Sequence, residues 1–303
     1  MSKDCSVLFL RNTPVTDLLF NEGDHANALV PLGLLATRIG TTPRTARYQR
    51  PGGFHRRFRG FGRWLSAGLL FFGGTAHAAI HVMSPIVEQG EFEVETAADR
   101  TFDKNDRLDD AQTQNVDIGY GVNSFWATEL ETQWKQDLMG SRRYDSTSWE
   151  NRFQLLPQGK YWLDAGLFAE YERVAQTGDH NNATVGLLLQ KELGQNVTTM
   201  NFLLNREFDT GGAPGAQIDY RVQTRWRWYA AFQPGLELYG EPGRLGNLEA
   251  NSDQRTRFGP VVTGVLPLGL PGKMKYQLGY LYGLNHSSEQ GTVRALFEYE
   301  AHF

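Results

Sequence analysis

The last stretch of the chain, residues 293–303, alternates strictly. Val293, Ala295, Phe297, Tyr299, Ala301 and Phe303 share one face, and Arg294, Leu296, Glu298, Glu300 and His302 share the other. A period of two predicts a strand with one apolar and one polar face. Similar segments recur upstream. Trp126, Thr128, Leu130, Thr132 and Trp134 oppose Ala127, Glu129, Glu131, Gln133 and Lys135. Tyr220, Val222, Thr224, Trp226 and Trp228 oppose Arg221, Gln223, Arg225 and Arg227. The pattern predicts strands near 91–102, 112–122, 125–137, 145–156, 160–174, 182–193, 196–208, 216–230, 234–241, 254–268, 272–284 and 291–303.

The connections alternate as well. Polar or Gly-rich loops (103–112, 138–144, 177–182, 210–217, 242–254, 285–290) take turns with tight ones (VNS, PQG, LGQ, FQPG, LPG). This asymmetry fits an all-β, transmembrane, antiparallel up-and-down barrel of twelve strands. In lipid every backbone N–H and C=O needs a partner, so a spanning sheet closes on itself. The last strand is then expected to pair with the first, apolar face outward. Trp126, Tyr161, Trp226 and Trp228 fall near the short turns and Trp134 toward the long loops, as interface aromatics do. Pro260, inside a proposed strand, and the short segment 234–241 strain the count. If both fail, ten strands remain. A soluble β-sandwich is the other all-β architecture, and it does not require the loop asymmetry.

Charge divides the chain. Residues 1–78 hold 10 Lys and Arg against 4 Asp and Glu, a net of +6, whereas residues 79–303 hold 20 against 30, a net of −10. The boundary reads RRFRGFGRWLSAGLLFFGGTAHA at 56–78: a basic start, a short apolar run and a small-residue end. That is the layout of a secretory signal cut before Ala79. Residues 1–55 have no clear period and are set aside as a start-site artefact or disordered extension. The only cysteine is Cys5, so residues 79–303 hold neither a disulfide framework nor a thiolate site.

The terminal Phe303 with Tyr299 and Phe297 at alternate positions, behind an export signal, resembles the C-terminal signature of Gram-negative outer-membrane β-barrel proteins. IHVMSPIVEQGEFEVE, ENRFQL and LQKEL look like a small porin-like group without assigned substrates. The resemblance implies location in the bacterial outer membrane. It also implies contact with outer-membrane lipid and lipopolysaccharide, and reading of the C-terminal residues by the barrel-assembly machinery.

The inward set is charged. Arg221, Arg225, Arg227, Arg257, Lys273, Lys275 and Arg294 are candidate basic pore-lining residues. Glu129, Glu131, Glu150, Glu170, Glu172, Glu298 and Glu300 are candidate acidic ones. The expected function is passive diffusion of small hydrophilic solutes with a mild cation preference. The alternative is a closed structural or adhesive barrel acting through its outer loops, its charges paired across the lumen. Gly119, Gly166, Gly186, Gly259 and Gly279 either give inward space or mark bends. No catalytic residue is assigned. His286 and Ser288 sit two apart, resembling the pair of outer-membrane phospholipases, but Glu289-Gln290 stand where that family has Asn-Gly. DKNDRLDD at 103–110 lacks the spacing of a calcium loop. No metal and no cofactor is implied, and a net acidic barrel argues against nucleic acid.

Overall fold

The structure is a computed structural model that describes residues 81–105, 108–136, 141–176, 180–208, 215–267 and 272–302. The expected signal segment at 56–78, the upstream residues 1–55 and Phe303 lie outside them. The alternation becomes strands because it gives each strand one face for lipid and one for the interior. Those described residues form β1 Glu91–Phe102, β2 Gln112–Asn123, β3 Trp126–Gln136, β4 Arg143–Gln154, β5 Asp164–Val174, β6 Asn181–Leu193, β7 Asn196–Phe208, β8 Gln217–Trp226, β9 Gln233–Arg244, β10 Asn247–Leu248, β11 Arg255–Pro267, β12 Lys273–Gly283 and β13 Gly291–His302. Twelve are long. β10 only extends one loop by pairing with the end of β9.

Each long strand pairs antiparallel with its sequence neighbour. β13 pairs with β1 from Glu91↔His302 to Phe102↔Gly291, and β8 pairs with β9, so the ring has no free edge. The result is a closed twelve-stranded barrel. The segment 234–241 is the core of a full-length strand, which removes the ten-strand option. Pro260 is accommodated on β11: it has a register partner in Leu236 of β9, while Gly259 and Pro260 are skipped in the register with β12.

Two boundaries differ from the sequence reading. β5 starts at Asp164, so the connection from β4 runs 155–163 and carries the exposed Tyr161 and Trp162. It is not the tight PQG turn that the sequence suggested. β8 ends at Trp226, leaving Arg227 and Trp228 in the connection to β9, where Tyr229 and Phe232 bridge. The β2–β3 and β6–β7 turns on this side are tight. Asn123 Oδ1 accepts from Phe125 N and Trp126 N, each at 3.0 Å.

The outward face is apolar and exposed, with Ile118, Leu130, Val185, Leu187, Leu236, Leu278, Val293 and Phe297 along it. Tyr299 shares that face of β13 with Phe297. Trp126, Trp134 and Trp226 face outward at strand ends. The inward face is polar and buried.

Candidate functional site: the lumen

The carboxylates of the lumen are stacked by register. Glu95, Asp117 and Glu131 stand directly opposite one another across β1, β2 and β3. Glu129, Glu150 and Glu170 do so across β3, β4 and β5. Glu93 faces Glu300, and Glu95 faces Glu298, across the closing seam. Like charges directly opposite oppose folding, so this wall needs cations or donors. Arg152 supplies one, bonding Glu129 and, at 3.1 Å, Glu93. Asn115 donates to Glu131, and Asn182 Nδ2 donates to Glu172 Oε2 at 2.7 Å. Glu95 Oε1 and Asp117 Oδ1 stay buried without a hydrogen bond among the described residues.

The basic residues gather on β8, β11, β12 and β13, and most carry a local counter-charge. Lys273 Nζ lies 2.8 Å from Glu300 Oε2. Lys275 bonds Glu298 at 3.2 Å and Glu300 more closely. Arg257 meets Glu241 at 3.2 Å. Arg221 forks onto Asp219 Oδ2 at 2.7 and 2.9 Å. Arg294 is fully enclosed: it contacts Glu237 at 3.3 Å and Asp99 at 3.7 Å, donates to Tyr239 Oη and lies over that ring. Glu237 also accepts from Gln223 at 2.7 Å and Gln277 at 2.9 Å. Arg227, beyond the end of β8, pairs with Glu192 at the exposed rim at 2.6 Å. Arg225 faces inward, and its Nε has no hydrogen-bond partner among the described residues.

Sequence reasoning missed the other occupant. Residues 81–90 precede β1 and run inside the barrel as an irregular strap. An isolated strand there lacks a ladder, so side-chain amides of the wall replace one. Met83 N donates to Asn201 Oδ1 and Asn201 Nδ2 donates to Met83 O, both at 2.8 Å. Val87 N donates to Gln154 Oε1 at 2.8 Å, and Arg221 Nη1 donates to the His81 carbonyl at 3.0 Å. Met83 packs on Phe168, Leu188 and Leu203, which face inward on β5, β6 and β7. Val82 packs against Tyr239 and Leu281. These apolar residues break the polar-inside rule because they bury the strap. Two glycines let it pass: a Cβ on Gly121 would sit 1.9 Å from Glu88 O, and one on Gly166 would sit 3.1 Å from Pro85 Cβ. His81 is deep in the barrel. Burial first, and then Arg221, lower its imidazole to about 3.

Beside the strap lies a cavity of about 380 Å³. Its wall carries eight glutamates (Glu91, Glu93, Glu298 and Glu300 among them) against four basic side chains, Arg152, Arg225, Arg227 and Lys275. Glu91, Glu93 and Glu300 bring carboxylate oxygens within 4.8 Å of one another, as a cation site would. The ammonium groups of Lys273 and Lys275 already answer Glu300 there.

The loop motifs have local partners. Ser288 Oγ accepts from Thr256 N at 2.7 Å and donates to Thr256 O at 2.8 Å. Its hydroxyl is committed to the backbone rather than poised beside a base. Asp103 accepts from Asn105 N at 2.7 Å and from Gln290 N at 3.0 Å, and Asp109 accepts from Asp103 N at 3.0 Å. The acidic loop thus caps its own turns.

No family model matches the sequence, and no curated protein matches it. Solved structures similar to it include a KdgM porin (TM-score 0.45, 11% identity, covering 68% of this chain and 98% of that one). The translocator domain of the autotransporter NalP from Neisseria meningitidis is another (TM-score 0.41, 11% identity, covering 70% and 88%). OccD1 also aligns (TM-score 0.35, 9% identity, covering 69% and 65%). All three are barrels of the bacterial outer membrane, and what this chain has in common with them is the closed antiparallel β-barrel.

Proposed function

We propose that the protein is an outer-membrane channel for small hydrophilic solutes, narrow and leaning toward cations. One observation carries this reading. The barrel encloses a polar cavity whose wall holds twice as many carboxylates as basic side chains. A charged, hydrated passage favours ions of opposite sign. The strap of residues 81–90 lies along that passage and limits its width. Export by the segment at 56–78 and insertion by the assembly machinery through Phe303, Tyr299 and Phe297 complete the proposal.

The test is single-channel recording of the purified protein in a planar bilayer under a salt gradient. Discrete conductance steps with a reversal potential displaced toward the cation Nernst value are expected. A folded barrel that yields no steps rejects conduction. It then favours the second reading, a closed barrel acting through its loops. The packing of Met83 into an apolar cluster and the enclosure of Arg294 speak for that second reading.

A further inference from the structure

The outward face has a charge pattern opposite to that of the lumen. Among the described strand residues its charged side chains are Arg100, Arg173, Lys191 and Arg206, and none is acidic. Three of the four stand in the half of the barrel nearer the long loops. Two of the four have evident partners. Arg100 pairs with Asp110 and lies 5.5 Å from the Phe102 ring centroid. Lys191, near the short turns, donates to Trp162 O and lies over its ring. Arg173 and Arg206 have no carboxylate partner among the described residues. A bare guanidinium facing a bilayer is costly, so its position calls for an anion.

The two arginines stand on either side of β6. Arg206 is level with Ala183 and Tyr171, and Arg173 lies two residues further toward the loops. Two strand spacings across and two residues along, they are about 12 Å apart. The rings of Tyr171 and Phe208 meet between them, tilted by 32° with centroids 5.6 Å apart. Directly alongside, on β3, β4 and β5, is an outward groove of about 570 Å³ lined by Leu130, Tyr144, Trp149, Tyr171 and Arg173. Trp149 forms part of its wall, its Nε1 fixed to Thr128 Oγ1 at 2.9 Å.

We propose that this groove binds a multiply acylated, phosphorylated lipid of the outer leaflet. An acyl chain lies against Leu130 and Trp149, and phosphate oxygens meet Arg173 and Arg206. Arginine matches phosphate with paired N–H donors, and the aromatic rings suit the depth where headgroup meets chain. This rests on the barrel spanning a bilayer with its long loops outward, and not on conduction.

The test is native mass spectrometry of the purified protein with three probes: bis-phosphorylated hexa-acyl lipid A, its dephosphorylated form and phosphatidylglycerol. Lipid A is expected to bind at least tenfold tighter than either of the others. The double variant R173S/R206S should lose that preference, and Trp149→Ala should weaken retention of all three probes. Arg100→Ser, outside the groove, should change nothing. A shift of the unheated band on gels reports folding of each variant. Equal retention of phosphorylated and dephosphorylated lipid overturns the proposal, as does undiminished binding by a folded R173S/R206S variant. Equal retention of phosphatidylglycerol reduces the site to a general anionic patch and also overturns it. Retention of no lipid at all rejects the groove and leaves the channel reading to be judged by conductance.

Discussion

Met83 and Asn201 exchange two hydrogen bonds of 2.8 Å across a separation of 118 residues. One side-chain amide thereby stands in for an entire strand partner, and it holds the strap at mid-lumen. Asn201→Leu removes both bonds and leaves the Met83 N–H and C=O unpaired. Each unmet buried group costs about 1–3 kcal/mol. The expected outcome is a strap that leaves its seat, read as larger or longer conductance steps in single-channel recordings.

A covalent lock tests the same contact in the opposite direction. Residues 79–303 contain no cysteine. The ideal Cβ position of Gly166 lies 3.1 Å from Pro85 Cβ, close to the roughly 3.5–4.5 Å span of a disulfide. The variant P85C/G166C should cross-link under mild oxidant and fix the conductance at its smallest level. Reductant should restore the wild-type record. Cross-linking without any effect on current would show that the strap does not limit passage.

Gly121→Ala puts a methyl where Glu88 O now sits. Backbone must then move, because no rotamer relieves a contact at 1.9 Å. The barrel ladder does not use that space, so the melting temperature of the barrel should change little. Proteolysis near residues 81–90 should speed up.

His81 gives the strap a pH dependence. Its seated pKa is lowered to about 3, against an ordinary value of 6.5. The seated state therefore disfavours the proton, and its stability is full above 6.5. That stability falls as pH drops from 6.5 toward 3, at up to about 1.4 kcal/mol per pH unit. Acid should raise conductance in this window. His81→Asn should flatten the histidine part of the profile, and an unchanged profile in that variant would assign the effect to carboxylates instead.

The arginines of β8 and its following turn should differ in weight. Arg227 is spent on Glu192 at a solvent-exposed rim, where ion pairs contribute little. Arg225 lines the same cavity from within the barrel, and its Nε has no hydrogen-bond partner among the described residues. Arg225→Glu should therefore shift the reversal potential toward cations more than Arg227→Glu does. Equal shifts would indicate that pairing with Glu192 does not reduce the weight of Arg227.

The fold was readable because lipid on one side and polar groups on the other impose a period of two on every strand. Even the segment 234–241, which looked too short, belongs to a full strand at 233–244. Turn lengths were less readable. Tyr161 and Trp162 look like strand residues by composition but stand in a connection, because a girdle aromatic has the same chemistry in either place. The strap was illegible for a different reason: its sequence has no period, and its partners are far away. A trace of it existed in the wall. Phe168, Leu188 and Leu203 are apolar on the face that should be polar. The pairing of the lumen charges was not visible, since Arg294 with Glu237 and Arg152 with Glu93 join strands that are not neighbours and meet only across the curved wall.

The strap also has a place in time. Its contacts fall on Gln154 of β4, Asn201 of β7 and Arg221 of β8, the last 140 residues away from His81. Contacts of such long range form late, because the loop between them must close first. The strap's seat needs β4, β7 and β8 in place, so the strap settles after that part of the wall has formed. The β1–β13 seam joins residues still farther apart, Glu91 with His302, so closing the barrel and seating the strap both belong to the last stage of folding.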